Sequence, residues 1–346
     1  MKSVYYERNL QTGLLDVKEF ASDSQLSLLR ISDPVATNLV QGYTNAELKG
    51  DKFLTPVKMP KRTGRFPAFG QEAFVISGDL KRAVGARVAR LNVQSGYVTL
   101  TMDEYASGVS LENSEREEWA GAPDMLLNGR LLTNTARIRL YREKLQAEAM
   151  TTTTNYASGH YISGAGKAWG GAGTGDPVSD MYDLQELILK KNGRFCNVAF
   201  FSWGAWLKFI NNTAILNRIK YGGSAISPAQ MSEAAAAQLL HVDEVHVCGA
   251  VYGTPSAPGS DGGVKKSALT KAFLWDSVQS NNAGSVIRGS GSGIEPAFWY
   301  TWEHQAYPKV ESYYENQTKS QIWDEQHVFN PAITANEAGA MYYSLA

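Results

Sequence analysis

His241 and His246 flank Asp243 and Glu244, and two imidazoles around two carboxylates are a donor set that could hold a metal ion. The spacing favours a plainer reading, a turn between an alanine-rich helix and an apolar strand that carries exposed polar residues. His160, His304 and His327 have no Cys or carboxylate partner at metal-ligand spacing. Gly171-Ala-Gly-Thr-Gly175 has the composition of a phosphate cradle. It follows no strand, however, and Lys167 precedes the glycines instead of following them beside a Ser or Thr, so the P-loop pattern fails. Gly289-Ser-Gly-Ser-Gly293 lacks the strand-to-helix context of a nucleophile elbow. With no nucleophile, base and orienting group at workable spacing, the expectation is a protein that is not an enzyme, with no catalytic residue, no cofactor and no metal.

A second set of charges suggests contact chemistry instead. Lys81, Arg82, Arg87 and Arg90 make one stretch locally basic, and Glu112, Glu115, Glu117 and Glu118 form an acidic cluster further on. The basic residues are either solvated charges that discourage stray strand pairing or partners for carboxylates on a neighbouring subunit. Exposed pairs contribute only about 0–1 kcal/mol each, so the two readings stand level.

The rest of the composition narrows the classes. The chain has 346 residues, 33 Lys plus Arg against 34 Asp plus Glu, and 43% hydrophobic residues, enough for a real core and too neutral to advertise nucleic-acid or membrane binding. Cys196 and Cys248, the only cysteines, each lie in an apolar strand-like run, where a thiol behaves as a small hydrophobe. No disulfide framework is expected, and a reducing cytoplasm fits. The first residues lack the apolar core of a signal peptide, and no 18-residue apolar run exists. Synthesis in the cytosol is therefore expected, and the sequons at Asn211 and Asn316 carry no glycosylation argument.

The elements that must position these residues follow from pattern. Residues 1 to about 50 read as an extended arm with one short helix. Pro56 onward alternates apolar and polar residues as a long hairpin turning at Gly78 and Gly85 and returning through 96–105. It has too little apolar content for a core of its own, and the simplest cover is a neighbouring subunit. Ser114-Glu-Arg-Glu117 has the form of a capping box for a brief helix. Pro123 then suits the first position of a helix running to Met150, roughly 42 Å at 1.5 Å per residue. Leu127, Leu131, Ile138, Leu145 and Ala149 share its apolar face, with Arg139–Glu143 and Lys144–Glu148 as i, i+4 pairs.

Residues 151–175 read as loop or strand, with Tyr161 and Trp169 as fasteners. Asp176-Pro177 caps a helix with Met181, Leu184, Leu187 and Ile188 inward, ending near Gly193. A strand at Val198–Ser202, helical turns to Tyr221, a helix capped at 227–230, and strands at 245–251 and 269–275 make a compact α/β unit. Antiparallel strands at 298–303, 309–314 and 320–328 follow. Asn330-Pro331 breaks the pattern and a last strand, 339–345, closes the chain. Trp299 and Trp302 read as core, and the many aromatics (17 Tyr, 8 Trp) favour permanent interfaces for some of them.

This order of parts resembles the major capsid proteins of tailed phages with the Johnson (Hong Kong 97-like) fold. Pro56-Val-Lys with Gly64-Arg-Phe-Pro-Ala-Phe69 is similar to the start of that family's extended loop. Lys81-Arg-Ala-Val-Gly85, Ser95-Gly-Tyr97 and Tyr105-Ala-Ser-Gly108 are similar to its return. Asp124–Glu148, including Arg142-Glu143, resembles the spine helix, and Trp169 through Asp176-Pro177 and Asp180 the entry to the axis-facing domain. Asn211–Tyr221 and Val245–Tyr252 resemble that domain's interior, and Asn330-Pro-Ala-Ile-Thr334 with Ala338-Gly-Ala340 the closing segment.

The resemblance implies an α+β fold in five parts: N-terminal arm 1–50, extended loop 51–112, peripheral domain with spine helix 113–176, axial α/β domain 177–296, and peripheral strands with a C-terminal return 297–346. It implies self-assembly as hexamers and pentamers into an icosahedral head. The head would enclose double-stranded DNA, contacted weakly and without sequence specificity. Scaffolding, portal and decoration proteins would be partners, the virion capsid the location, the host cytoplasm the place of assembly, and no membrane is involved. The Lys, Asn and Glu set used by members that crosslink their loops cannot be placed here. Two other readings stand beside this one: an encapsulin-type shell around a cargo enzyme, and an α/β enzyme built on 177–280.

Overall fold

The computed structural model describes residues 4–8, 15–19, 31–32, 36–37, 48–68, 81, 84–85, 96–118, 123–170, 175–222, 231–255, 269–293 and 295–346. The chain opens with β1 (Val4–Arg8) and β2 (Leu15–Glu19), paired antiparallel, then β3 (Ile31–Ser32). These strands stand where an extended arm with one short helix was expected. A four-residue helix, α1 (Gly50–Phe53), leads directly into β4 (Thr55–Met59), and β5 (Thr63–Ala68) and β6 (Gly96–Thr101) form the hairpin. Next come β7 (Asp103–Glu112), α2 (Asn113–Glu118) and the 29-residue α3 (Pro123–Thr151), which matches the expected spine with Pro123 at its start.

After β8 (Tyr161–Ser163), α4 (Pro177–Asn192) starts as its sequence requires. Asp176 accepts from Val178 N, proline occupies the first turn, and Gly193 ends the helix in the left-handed region at φ 69°, where an L side chain would be strained. The chain continues through β9 (Val198–Ser202), α5 (Trp203–Asn211), α6 (Thr213–Gly222) and α7 (Glu233–Leu240). The cap of α7 is Ser232, whose hydroxyl accepts from Ala235 N; the cap expected at 227–230 lies outside the described residues. Strands β10 (Glu244–Cys248), β11 (Val251–Pro255), β12 (Leu269–Phe273), β13 (Ala283–Val286), β14 (Trp299–His304), β15 (Lys309–Glu315), β16 (Ser320–Ile333) and β17 (Gly339–Tyr343) complete the chain.

Two compact units result. One comprises Met1–Tyr43, Tyr105–Ala136 and Tyr307–His327; the other comprises Thr44–Glu104, Arg137–Ala306 and Val328–Ala346. In the first, β15 pairs antiparallel with 320–326 of β16, β3 pairs with β15, and a small core gathers Leu111, Leu131, Val310 and Trp323. Glu325 is fully buried there. It accepts from Asn134 Nδ2 at 3.0 Å and faces Thr135 Oγ1 at 3.0 Å and His327 Nε2 at 2.7 Å.

The second unit holds the large core around a five-stranded sheet, ordered β10-β9-β13-β17-β8, with β10 parallel to β9 and β13 antiparallel to β9 and β17. Every residue of β9 is buried, and Met181, Leu184 and Ile188 of α4 join the same core. The closing strand β17 thus belongs to this α/β sheet, whereas its position in the chain had grouped it with the strands from 297 onward. Its Ala340, Met341 and Tyr342 are buried, and it pairs with β13 on one side and β8 on the other. Strand β16 also runs on through Asn330-Pro331 to pair with β14, Pro331 opposite Thr301, so the expected break does not occur. Among the described strands β15 faces β16 only up to Gln326, which leaves one side where a missing N–H breaks no ladder bond.

Candidate assembly interface

The root of the hairpin arm is held by buried polar contacts of α3. Glu143 is 2% exposed and accepts from Lys49 N at 3.1 Å, Gly50 N at 2.7 Å and Trp275 Nε1 at 2.7 Å. Lys49 and Gly50 begin α1, so a single carboxylate takes two of the free N–H groups every helix start leaves over. A side chain at Gly50 would meet Glu143 Oε2 at 2.7 Å, which explains glycine there. Burial pushes the Glu143 carboxyl above its ordinary range, against the three donors, which favour its charge.

The preceding residue, Arg142, pairs with Asp51 at 2.6 Å and with Glu303. Burial works against its charge, but the two carboxylates outweigh that and hold the guanidinium protonated more firmly than usual. Gln146 donates to Asp51 Oδ1 at 2.7 Å and Thr301 Oγ1 at 2.9 Å. Phe53 of α1 is 2% exposed and packs edge-on against Phe200, His246 and Trp275 at 5.3–5.6 Å between centroids. Arg288 closes the far side: its Nη1 donates to Lys52 O at 3.2 Å while the guanidinium grips Glu244 at 2.9 and 3.0 Å.

From this root the chain runs outward. Strand β4 pairs in parallel with β14, and β5 and β6 then pair from Thr63 opposite Thr101 to Ala68 opposite Gly96. Leu100 and Met102 are buried at the base, where Asn330 Nδ2 donates to Thr101 O at 2.6 Å and Arg62 pairs with Glu104 at 2.7 Å. Lys61, Arg65, Thr99 and Tyr97 are exposed, Tyr97 at 68%. A two-stranded ribbon with exposed aromatic and basic residues is marginal alone and offers edges to another chain. Val84, fully exposed, and Gly85, at φ 82°, form a turn, as expected for Gly85; Gly78 lies outside the described residues.

The structure divides the charge sets read from sequence. Lys81 is exposed, and Arg82, Arg87 and Arg90 lie outside the described residues. Glu112, Glu117 and Glu118 are exposed, but Glu115 is engaged within its own chain. It accepts from Arg130 at 2.8 and 2.9 Å, and the same guanidinium donates to Ser110 O at 2.6 Å. The bond to Arg130 lowers the Glu115 carboxyl. The capping box also shifts: Glu115 reaches back to Glu112 N at 3.4 Å, so α2 starts one residue ahead of Ser114. Because the Glu115 side chain keeps 40% of its surface in solvent, Glu115→Gln should leave the thermal midpoint indistinguishable from wild type. A clear drop in differential scanning fluorimetry would contradict that.

The chemistry-like residues have structural employment. His241 takes the left-handed position that ends α7 and stacks with Tyr182. His246 Nε2 lies 2.8 Å from Glu244, which the bond to Arg288 holds down to about 2. Lys167 pairs with Asp180 at 2.5 Å, and Trp169, fully buried, donates to the other oxygen of that carboxylate at 2.7 Å. Both cysteines are buried and free, with burial pushing the Cys196 thiol up to about 11 and Cys248 further. Among the described residues, no three His, Cys, Asp or Glu side chains gather as a metal site, and no helix is long and apolar enough to cross a membrane.

Sequence reasoning missed the residues that matter most here, Asp51, Glu143 and Gln146. Glu143 read as an i, i+4 partner of Arg139, yet its oxygens serve α1 and Trp275. The Lys-Gly-Asp run at 49–51 was the available signal.

No family model matches the chain. The major capsid protein of Burkholderia phage BcepMu is 28% identical to it over 319 residues, 91% of this chain and 97% of that protein. Among solved structures, a phage-related protein from Bordetella bronchiseptica RB50 matches with a TM-score of 0.69 at 21% identity, over 91% of this chain and 98% of that one. The capsid structure of cyanophage P-SCSP1u matches at 0.50 and 11% identity, over 84% and 86%. In sequence the chain is similar to a phage major capsid protein, and its fold is the Hong Kong 97-like fold of phage capsid structures.

Proposed function

We propose that the chain is the building block of a phage head, assembling as hexamers and pentamers into a closed icosahedral shell around double-stranded DNA. The observation that carries this reading is the β5–β6 ribbon, which exposes Thr63, Arg65, Tyr97 and Thr99 yet is rooted by the Glu143 and Arg142 contacts. A rigid root holds a projecting ribbon in the pose a neighbour must meet. Permanent interfaces bury roughly 2,000–5,000 Å², and a projecting ribbon supplies area that a rounded body lacks. The formal net charge of -1 suits a lining that holds DNA weakly and without sequence preference. The axial body is 177–296 together with β17, and the strands of 297–333 and the spine helix form the peripheral part. Scaffolding, portal and decoration proteins are the further partners, the chain acts as a structural protein and not an enzyme, and assembly takes place in the host cytoplasm before the shell becomes part of the virion.

Lys81, Arg82, Arg87 and Arg90 are assigned to contact with Glu112, Glu117 and Glu118 of a neighbour, Glu115 being held by Arg130. Reversing two of these charges, Arg87→Glu with Arg90→Glu, should abolish particles in size-exclusion chromatography while the circular dichroism spectrum and thermal midpoint stay those of wild type. Normal particles from that double variant would defeat the assignment. Nuclease-protected DNA inside particles from infected or induced cells is expected; a stoichiometric protein cargo in its place would favour the encapsulin-type shell.

A further inference from the structure

Helix α1 is clasped from three directions, and two of the clasping groups, His246 and Glu143, can titrate. His246 projects from β10 with Nε2 2.8 Å from Glu244 Oε2, and its ring lies edge-on to Phe53 at 5.5 Å between centroids. Glu244 is fixed by two bonds from Arg288, and that guanidinium also holds Lys52 O at the end of α1. A carboxylate so held stays charged, so the ring proton belongs on Nε2. That leaves Nδ1 a bare lone pair, buried with no hydrogen-bond partner among the described residues. The seat therefore fits a neutral imidazole. A second proton at Nδ1 would be a buried donor without an acceptor beside an aromatic ring.

We propose that the seat of α1 is an acid-sensitive latch, in which protonation of His246 releases the root of the hairpin arm.

The charged groups around the ring set the direction. Glu244 on the same strand and Glu233 of α7 favour the imidazolium, while Lys49, just ahead of α1, opposes it, and Arg288 is already spent on Glu244. Burial outweighs the carboxylates and pushes His246 below its ordinary 6.5. Above that pH the ring is neutral whether α1 is seated or released, and nothing is lost. As pH falls below 6.5 the released ring takes a proton that the seated ring refuses. The seating equilibrium then weakens by up to about tenfold per pH unit until the lowered value is reached. Glu143, on the other side of α1, acts in the opposite sense: burial raises its carboxyl, so acid favours the seat through that group. Its effect lies between the ordinary carboxylate value of 4.5 and the raised one, and the His246 variant separates the two.

These contacts all lie within one chain, so the latch stands or falls apart from shell formation. Hydrogen exchange of the full-length chain between pH 5.5 and 7.5, corrected for the intrinsic pH dependence of exchange, reads the opening of the Lys52 and Leu54 amides, which bond to Lys49 O and Gly50 O. Opening should rise by up to about tenfold per pH unit below 6.5 and show no rise in His246→Gln, which keeps a donor toward Glu244 but cannot take a proton. A flat wild type, or an unchanged rise in the variant, overturns the latch. Should His246→Gln not fold, the imidazole of wild-type His246 followed by NMR decides the same question: titration below 6.5 supports the latch, and titration at or above it defeats the proposal.

Discussion

Replacing Glu143 by leucine lowers the free energy of unfolding by about 3–5 kcal/mol. The side chain is nearly the same size and the surroundings are apolar, so the loss comes from what the carboxylate served. Lys49 N, Gly50 N and Trp275 Nε1 all donate to it, and each buried donor left unpaired costs about 1–3 kcal/mol. Relief from desolvating a carboxylate offsets part of that sum. Glu143→Gln retains one acceptor oxygen and should cost about half as much. Urea unfolding followed by tryptophan fluorescence measures both, with Trp275 as a local reporter. A cost below about 1 kcal/mol for Glu143→Leu would show that α1 does not depend on this carboxylate. Exchange should increase first at Lys49 and Gly50, whose amides lose their acceptor.

The second large effect is expected at Glu325. Glu325→Leu should destabilise the unit formed by 105–136 and 307–327 by about 2–4 kcal/mol. Asn134 Nδ2 keeps Ser107 O at 3.1 Å, and Thr135 Oγ1 keeps Leu131 O at 2.9 Å, so neither is left wholly unpaired. His327 Nε2 loses the carboxylate 2.7 Å away while its side chain is only 7% exposed, and that imidazole carries most of the cost. Exchange mass spectrometry distinguishes this variant from the first: protection should fall around 134–135 and 323–327 and persist at 48–53. Loss of protection spread evenly over both units would mean that they unfold as one.

The sequence made the regular elements legible and the buried polar contacts opaque. Pro123 and Asp176-Pro177 marked two helix starts, because a proline without an N–H and a capping carboxylate act locally. Strand β9 matched its expectation residue for residue, being buried on both faces. Three misreadings share one cause. Glu143 seemed to belong to an i, i+4 pair, Pro331 to break a strand, and 339–345 to follow the strands before it. Each was settled by a partner far along the chain: Gly50 for Glu143, Thr301 for Pro331, and β13 for β17. Local propensity yields to such tertiary pairing. Among the contact charges, Glu115 is claimed by Arg130 from fifteen residues away.

Electron microscopy of the purified full-length chain after size exclusion tests the central claim most directly. The account predicts rings of five and six subunits or closed polyhedral shells as the largest stable species. A monomer or dimer that persists at high concentration, with candidate scaffolding protein added, would contradict it.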